Sequence, residues 1–243
     1  MKHTKPNHSN RPDSLPKQAQ WLTSATAQDL ANTLAATVAK QLNLALDTNP
    51  RASLAVSGGR TPKAMLQQLS QQDIDWSRID ITLADERWVN EQGDASNAAL
   101  VKAFLLQNNA SNATFYPLYT GENSATEGQA HCQQQLTNMH WPLDVLVLGM
   151  GNDGHTASLF PLCPTLPEAL STTKICVATQ APVEPTDRMS LSATTLINAK
   201  HTHLHIEGAT KLEVLEQAIQ LNDPTKMPIY TFLQQPINIH WCP

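Results

Sequence analysis

Short apolar runs alternate along the chain with longer segments in which apolar residues recur every three or four positions. The short runs are typical of strands that are buried on both faces of a parallel sheet. They predict strands at residues 52–56, 79–84, 115–118, 145–148 and 174–179, and strict alternation predicts a further strand at residues 201–206. Apolar stripes predict helices at residues 25–46 and 211–221, and further helices are predicted at residues 62–69, 98–106, 126–139, which is polar and rich in glutamine, and 194–199.

The regular alternation of strands and helices indicates an α/β protein with a doubly wound, mostly parallel sheet and helices on both faces. No internal repeat and no clear linker divides the chain, so a single domain is expected over residues 18–243. Thr61 and Ser96 are the expected N-caps of the second and third helices. Residues 1–17 are rich in proline, asparagine, serine and basic residues, which predicts a flexible N-terminal tail.

The amino-acid composition indicates which classes of binding partner to expect. The formal net charge of −5 gives no basic surface for nucleic acid, although local cations can still bind an anionic substrate. The tail lacks the apolar core of a signal peptide, and no apolar run approaches transmembrane length, so no membrane partner is expected. The four cysteines show no Cys-x-x-Cys spacing, which is most simply explained by reduced thiols in a cytoplasmic protein.

The predicted strand at residues 145–148 leads into a turn with three glycines among residues 149–154, and His155 follows at once. Glycine is used where the backbone needs a positive φ or must approach a ligand closely. Residues 156–160 are expected to begin a helical turn. An α/β sheet presents reactive groups at the carboxyl ends of its strands, so this cluster favours a functional site over an ordinary turn with a solvated histidine.

Two further strand ends carry polar side chains. The strand at residues 52–56 is followed by the segment Ser57-Gly58-Gly59-Arg60-Thr61 and then by a helix start, a geometry that cradles phosphate on free backbone N–H groups. The segment matches neither a Walker loop nor a dinucleotide-binding fingerprint. The alternative interpretation, a tight turn that binds no ligand, remains open. The segment Asp85-Glu86-Arg87 follows the strand at residues 79–84. Its position at the carboxyl end of that strand favours a functional site over a solvated loop.

Four stretches taken together, residues 57–62, 85–89, 149–161 and 208–211, resemble the 6-phosphogluconolactonase branch of the glucosamine-6-phosphate isomerase and 6-phosphogluconolactonase family. They follow the family's order and extend over most of the chain. The long glycine-histidine motif is highly specific, whereas the Ser-Gly-Gly turn alone is weak. The resemblance implies a Rossmann-like fold, no cofactor and a sugar phosphate substrate. A monomer is expected, with a homodimer left open.

Two departures from the isomerase pattern decide the branch. That subfamily has Asp-Glu-Tyr where this chain has Asp-Glu-Arg at residues 85–87, and it has Phe-Asn-Glu-Pro where this chain has Ser-Leu-Phe-Pro at residues 158–161. The resemblance therefore implies hydrolysis of 6-phospho-D-glucono-1,5-lactone to 6-phospho-D-gluconate in the pentose phosphate pathway. The alternatives are a glucosamine-6-phosphate deaminase or aldose–ketose isomerase, and a non-catalytic sugar-phosphate sensor.

Lactone hydrolysis assigns roles to three of these side chains. His155 is expected to act as general base towards water and then as general acid, because imidazole can take up and release a proton near neutral pH. Asp153 would orient the imidazole, although capping of the turn explains it equally well. Arg87 would stabilise the oxyanion or hold the phosphate. A serine nucleophile is not expected, since the chain lacks Gly-x-Ser-x-Gly.

The remaining predicted site residues would bind substrate, with the phosphate on the Ser-Gly-Gly turn and two basic side chains reaching in from later strand ends. The alternative for Arg188 is plain surface charge. The predicted set is Ser57, Gly58, Gly59, Arg60, Thr61, Asp85, Glu86, Gly149, Gly151, Gly154, Arg188 and Lys211. Three histidines alternate on one strand face at positions 201, 203 and 205, but no carboxylate or cysteine accompanies them, so no metal is predicted.

Overall fold

The computed structural model describes residues 11–243, and within that range ten strands form two sheets with eight α-helices around them. The strands are β1 (Ala19–Thr23), β2 (Ala52–Val56), β3 (Ile79–Leu83), β4 (Asp85–Arg87), β5 (Thr114–Tyr116), β6 (Val145–Leu148), β7 (Cys176–Gln180), β8 (Asp187–Leu191), β9 (His201–Glu207) and β10 (Ile237–Cys242). The helices are α1 (Ala27–Leu46), α2 (Lys63–Leu69), α3 (Asn97–Phe104), α4 (Ala125–Leu136), α5 (Leu166–Ser171), α6 (Ala193–Ile197), α7 (Ala209–Leu221) and α8 (Tyr230–Leu233).

The larger sheet is entirely parallel and has the strand order β1-β10-β9-β6-β2-β3-β5. Its central strands are buried along their whole length, which is why they occur in the sequence as short apolar runs. The predicted α/β fold with a single domain is confirmed. From this strand order, the right-handed crossovers that are the rule in parallel sheets put α1 to α3 on one face and α4 to α7 on the other, and the packing of α1 on α2 agrees with this.

The direction of winding reverses between β2 and β6. From β2 the chain continues outward to β3 and β5, whereas from β6 it continues the opposite way to β9 and β10. Adjacent strands whose connections leave in opposite directions open a crevice at their carboxyl ends, and ligands of doubly wound sheets bind there. The fold therefore places a binding crevice beyond Val56 and Leu148.

The smaller sheet, antiparallel with the order β4-β8-β7, was not predicted, and neither was β1. β4 is only three charged residues long, so it carries no apolar pattern and depends on pairing with β8. β1 lies at an edge of the main sheet, where a partly exposed strand lacks the apolar run of a buried one. Both elements are fixed by tertiary pairing rather than by local sequence.

Helix ends agree in part with the sequence. Ser96 caps α3 as predicted, because its hydroxyl accepts a hydrogen bond from the backbone N–H of Ala99 at 3.1 Å. The prediction for Thr61 was wrong: Pro62 occupies the N-cap position of α2, and no side-chain cap hydrogen bond forms there. The fixed φ of proline begins this helix without a capping side chain.

The predicted N-terminal tail lies partly outside the described residues, which begin at Arg11. Within the part that is described, Leu15 is 6% exposed and joins the core, so packing starts before residue 18. Among residues 11–243, no helix is long and apolar enough to cross a membrane.

Two of the strand histidines form a buried network beneath the sheet's α1 face. His203 Nε2 lies 2.8 Å from Gln41 Oε1, and its Nδ1 lies 3.0 Å from His240 Nε2. With Gln41 accepting, neutral His203 donates at Nε2 and accepts at Nδ1. Burial, together with a smaller contribution from the charge of nearby His201, lowers the pKa of His203 to about 4. Burial likewise lowers the pKa of His240, with His203 and His205 adding to the effect.

Acidification is therefore expected to destabilise the fold through this network. Unfolded histidine titrates near ~6.5, whereas folded His203 has a pKa of about 4, so the unfolded chain binds more protons between these values. The free energy of unfolding should fall as the pH drops from about 6.5 towards 4, by on the order of 2–3 kcal/mol for His203 alone. Urea unfolding at a series of pH values measures the loss.

A variant in which residue 203 cannot be protonated isolates the contribution of His203 to the pH dependence of stability. His203→Gln should be less stable than the unsubstituted protein at pH 7 but should lose less on going to pH 4. His131→Gln, at an exposed histidine on α4, serves as the control and should keep the full pH dependence. Equal acid losses in all three proteins would show that His203 does not contribute.

Candidate active site

A cavity of about 310 Å³ opens at the crevice between β2 and β6, and most of the predicted site residues line it. These are Ser57, Gly58, Gly59, Arg60, Thr61, Asp85, Arg87, Gly149, Gly151, His155, Arg188 and Lys211. Glu86, Asp153 and Gly154 do not line it. Residues that sequence reasoning missed also contribute to the wall, notably Asn97, Thr156, His205 and Glu207.

The turn after β2 is packed tightly against its neighbours. A Cβ at Gly58 would lie 1.8 Å from Asn97 Oδ1, so only glycine fits beside that side chain. Gly59 has a φ of +101°, a conformation that L side chains rarely adopt. Ser57 Oγ accepts a hydrogen bond from the backbone N–H of Gly149 at 3.3 Å. The hydroxyl therefore ties the β2 turn to the glycine turn after β6.

The glycine turn after β6 is closed by its own hydrogen bonds. The N–H of Gly151 donates to the carbonyl of His155 at 2.8 Å, and the Thr156 hydroxyl donates to the carbonyl of Gly149 at 2.7 Å. A Cβ at Gly151 would lie 2.1 Å from His155 Nδ1. Gly154 has a φ of +76° and faces Met227 rather than the cavity. Glycine at these positions lets the imidazole fold back over the turn.

His155 and Asp153 form a hydrogen-bonded pair at the cavity edge. The imidazole Nδ1 lies 2.5 Å from Asp153 Oδ1, which also accepts the backbone N–H of His155 at 3.1 Å. Burial alone would raise the pKa of Asp153, but the hydrogen bonds and charge of His155 outweigh it, and the pKa lies below its ordinary value. Because Nδ1 faces the carboxylate, Nε2 is the ring nitrogen left for a reacting proton.

The segment after His155 is a tight turn, and the predicted helical turn was wrong. Thr156 and Leu159 form an isolated antiparallel bridge, and Ala157 has a φ of 48°. The hydroxyl of Ser158 is buried and donates to Asp85 Oδ2 at 2.6 Å. This bond joins the glycine-histidine motif to β4, and Ser158 does not line the cavity.

Two arginines lie side by side on neighbouring strands of the smaller sheet, because Arg87 on β4 is the register partner of Arg188 on β8. Arg87 Nη1 donates to the carbonyl of Ala95 at 2.6 Å, while its Nε is buried without a hydrogen-bond partner among the described residues. Arg188 Nε donates to the carbonyl of Pro185 at 2.8 Å. Burial lowers the pKa of Arg188, with Asp85 opposing and Arg87 adding to the effect.

A third cation reaches the cavity from α7. Lys211 lies in the first turn of this helix, and its Nζ donates to the carbonyl of Met150 and to Asn152 Oδ1, both at 2.6 Å. Burial lowers the pKa of Lys211, and the charge of Asp153 opposes that shift. The lysine thus holds the glycine turn from outside while its charge faces the crevice.

Glu86 lies behind the cavity wall and is fully buried. Its carboxylate accepts hydrogen bonds from the backbone N–H groups of Arg87, Asn97 and Ala98 and from the hydroxyl of Ser96. Burial raises the pKa of Glu86, and these four donors oppose the rise. The carboxylate sits at the N-terminus of α3 and ties that helix to β4, which carries Arg87.

The charge of the lining suits a small anion. Four basic side chains against two acidic ones line the cavity, and both predicted phosphate-binding cations are among them. The imidazole supplies a group that can exchange protons, and the arginine pair supplies fixed donors. In the part of the chain described, no three histidine, cysteine or acidic side chains converge as metal ligands. The arrangement therefore fits acid–base chemistry on a phosphorylated small molecule.

Comparison with known proteins identifies the family. Residues 25–241 match the model of the glucosamine-6-phosphate isomerases/6-phosphogluconolactonase family. A 6-phosphogluconolactonase of Pseudomonas aeruginosa is 44% identical over 220 residues, which cover 90% of this chain and 92% of the relative. One from Rhizobium meliloti is 42% identical over 221 residues, 88% of this chain and 94% of the relative.

A solved structure agrees with the sequence matches. The crystal structure of a 6-phosphogluconolactonase from Shewanella baltica superposes with a TM-score of 0.92 at 43% identity and covers 94% of this chain and 100% of its own. The match extends across both sheets and the crevice between β2 and β6. The chain belongs to the glucosamine-6-phosphate isomerase/6-phosphogluconolactonase family.

Proposed function

We propose that this protein hydrolyses 6-phospho-D-glucono-1,5-lactone to 6-phospho-D-gluconate in the oxidative pentose phosphate pathway, which is supported by relatives named 6-phosphogluconolactonase. The observation that carries the proposal is the His155–Asp153 pair at the edge of a cavity lined by Arg87, Arg188 and Lys211. A proton-transfer group next to several fixed cations is what hydrolysis of an anionic lactone requires. No cofactor is needed for this chemistry.

In the proposed first step, His155 Nε2 removes a proton from water as the water oxygen attacks C1 of the lactone. The Nδ1 contact with Asp153 holds the ring in one orientation and favours the imidazolium that forms. The carbonyl double-bond electrons move onto oxygen, and a tetrahedral oxyanion results. Arg87 stabilises this oxyanion. Its guanidinium is anchored on the carbonyl of Ala95 before substrate arrives, so it needs little reorganisation.

In the proposed second step, the oxyanion collapses and the bond between C1 and the ring oxygen breaks. The imidazolium of His155 returns its proton to the departing ring oxygen, which becomes the free hydroxyl of the product. The histidine is neutral again, and the new carboxylic acid, which keeps the second proton of the attacking water, releases that proton to solvent and leaves a carboxylate beside the arginines. One imidazole thus serves both steps, and no covalent enzyme intermediate is required.

The phosphate is proposed to lie at the other end of the cavity. The backbone of the Ser57–Gly59 turn, Arg188 and Lys211 would hold it, since backbone N–H groups at a helix start and fixed cations are typical phosphate ligands. Binding energy at this remote group orients C1 towards His155. A misplaced phosphate would therefore lower kcat as well as affinity.

Location and assembly are also proposals. All four cysteines lie among the described residues and are free thiols, which supports a reducing compartment such as the cytoplasm. The large exposed apolar side chains are few, which supports a monomer, and light scattering would reveal a homodimer.

Freshly prepared 6-phosphogluconolactone provides the direct test. We expect purified protein to accelerate its loss well above the spontaneous rate, with formation of 6-phosphogluconate followed by a coupled dehydrogenase. Glucosamine 6-phosphate, assayed for released ammonia, should give no turnover, because Arg87 and Phe160 stand where the isomerases carry tyrosine and glutamate. Ammonia release would favour the deaminase. Binding of 6-phosphogluconate without lactone turnover would indicate a sensor.

A further inference from the structure

Phe160 does not line the cavity, but it packs against two residues that do, His155 and Arg188. Its side chain is almost fully buried, and its ring centroid is 4.5 Å from that of the His155 imidazole at an interplanar angle of 43°. The guanidinium carbon of Arg188 lies 5.6 Å from the same ring centroid. One aromatic ring therefore contacts both the proton-transfer group and a cation of the phosphate site.

The tight turn after His155 brings this ring into place. The bridge between Thr156 and Leu159 reverses the chain, and Ser158 fastens the turn to Asp85 and to the hydroxyl of Ser190 on β8. Phe160, five residues beyond the histidine, is thereby folded back against it. Asp85 and Ser190 are register partners in the smaller sheet, so the turn is fastened to that sheet at two points and the ring has little freedom to move.

We propose that Phe160 is a positioning residue, which sets the imidazole of His155 and the guanidinium of Arg188 at a fixed separation. The inference rests on the proposed function, in which these groups act on opposite ends of one substrate. A rigid ring suits this role because the guanidinium of Arg188 is attracted to its face and the imidazole of His155 packs against it. A flexible aliphatic side chain would fill the space without holding either group.

Phe160→Leu tests the proposal. We expect kcat for the lactone to fall about tenfold and KM to rise about tenfold, because displacement of the base and loosening of the phosphate cation act on different parameters. Phe160→Tyr keeps the ring and should stay within about threefold of the unsubstituted protein in both. A change in kcat alone or in KM alone for Phe160→Leu would contradict the proposal that one ring positions both groups. Equal changes in Phe160→Leu and Phe160→Tyr would contradict it as well.

The chain offers a matched control in Phe115 on β5, at the far edge of the sheet. Its ring is partly buried and also carries a cation, with Lys102 Nζ 5.9 Å from the centroid. Phe115→Leu makes the same chemical change outside the cavity and should leave kcat and KM unchanged. If it lowered activity as much as Phe160→Leu, general destabilisation would explain both, and the proposal would fall.

Histidine NMR separates this inference from the proposed function. The His155 ring-proton resonance should be single and sharp in the unsubstituted protein and in Phe115→Leu, and broadened or split in Phe160→Leu. A protein that does not hydrolyse the lactone but shows this broadening would refute the function and keep the positioning role. If the protein hydrolyses the lactone but the His155 resonance is unchanged in Phe160→Leu, the proposed function would be supported and the positioning role of Phe160 would be refuted.

Discussion

Replacing His155 with alanine is expected to lower kcat for 6-phosphogluconolactone by about 10³-fold, with KM changed much less. The imidazole is the proposed base and acid in both steps, and general acid–base catalysis typically contributes roughly 10²–10⁴-fold. The groups proposed to bind substrate, the cations and the Ser57–Gly59 turn, stay in place in this variant. Steady-state kinetics with correction for spontaneous hydrolysis gives both parameters.

The partner of the imidazole provides an internal comparison. Asp153→Asn keeps a side chain that can still contact Nδ1 but removes its charge, so kcat should fall by about 10- to 100-fold, less than for His155→Ala. His131→Ala, at an exposed histidine on α4, should retain full activity. Wild-type kcat in His155→Ala would remove this residue from the mechanism, and the two-step proposal would have to be abandoned.

Much of the site could be predicted because the carboxyl ends of parallel strands meet at one edge of a sheet. The polar segments after β2, β3 and β6 are far apart in sequence, yet their side chains line one cavity. Apolar runs predicted the strands, and strand polarity then placed their ends together. Lys211 follows the same rule, since it lies just beyond the end of β9.

Neighbouring charges in one segment were harder to separate. Asp85 and Arg87 line the cavity, whereas Glu86 between them is buried behind it. Side chains alternate across a strand, so this division follows once residues 85–87 are known to be β4. Three charged residues carry no strand pattern, however, and β4 exists only through its pairing with β8. The smaller sheet was therefore the missing information.

Local sequence was also insufficient to predict the roles of the β9 histidines and the shape of the turn after the glycine motif. Alternation predicted that the histidines of β9 share a face, but only the tertiary structure distinguishes His205 at the cavity from His203 in a buried network. The turn at residues 156–159 is set by contacts with Asp85 and Ser190, not by local propensity. These contacts override the helical turn that the sequence favours.

Arg87→Met is expected to lower kcat by about 10²–10³-fold while KM rises by only a few fold. Methionine keeps much of the side-chain volume but removes the guanidinium that is proposed to meet the oxyanion, and loss of one such donor typically costs about 3–4 kcal/mol of barrier. If Arg87 instead held the phosphate, KM would rise strongly with a smaller change in kcat. Lactone kinetics distinguish the two roles.

Charge and geometry can be separated at this position. Arg87→Lys keeps the positive charge but loses the planar fork that donates to Ala95, so it should recover only part of the lost kcat. Arg11→Met removes the same charge from an exposed arginine outside the cavity lining and should leave kcat unchanged. Full recovery in Arg87→Lys would mean that charge alone matters, so the anchored geometry of the guanidinium would play no part in catalysis.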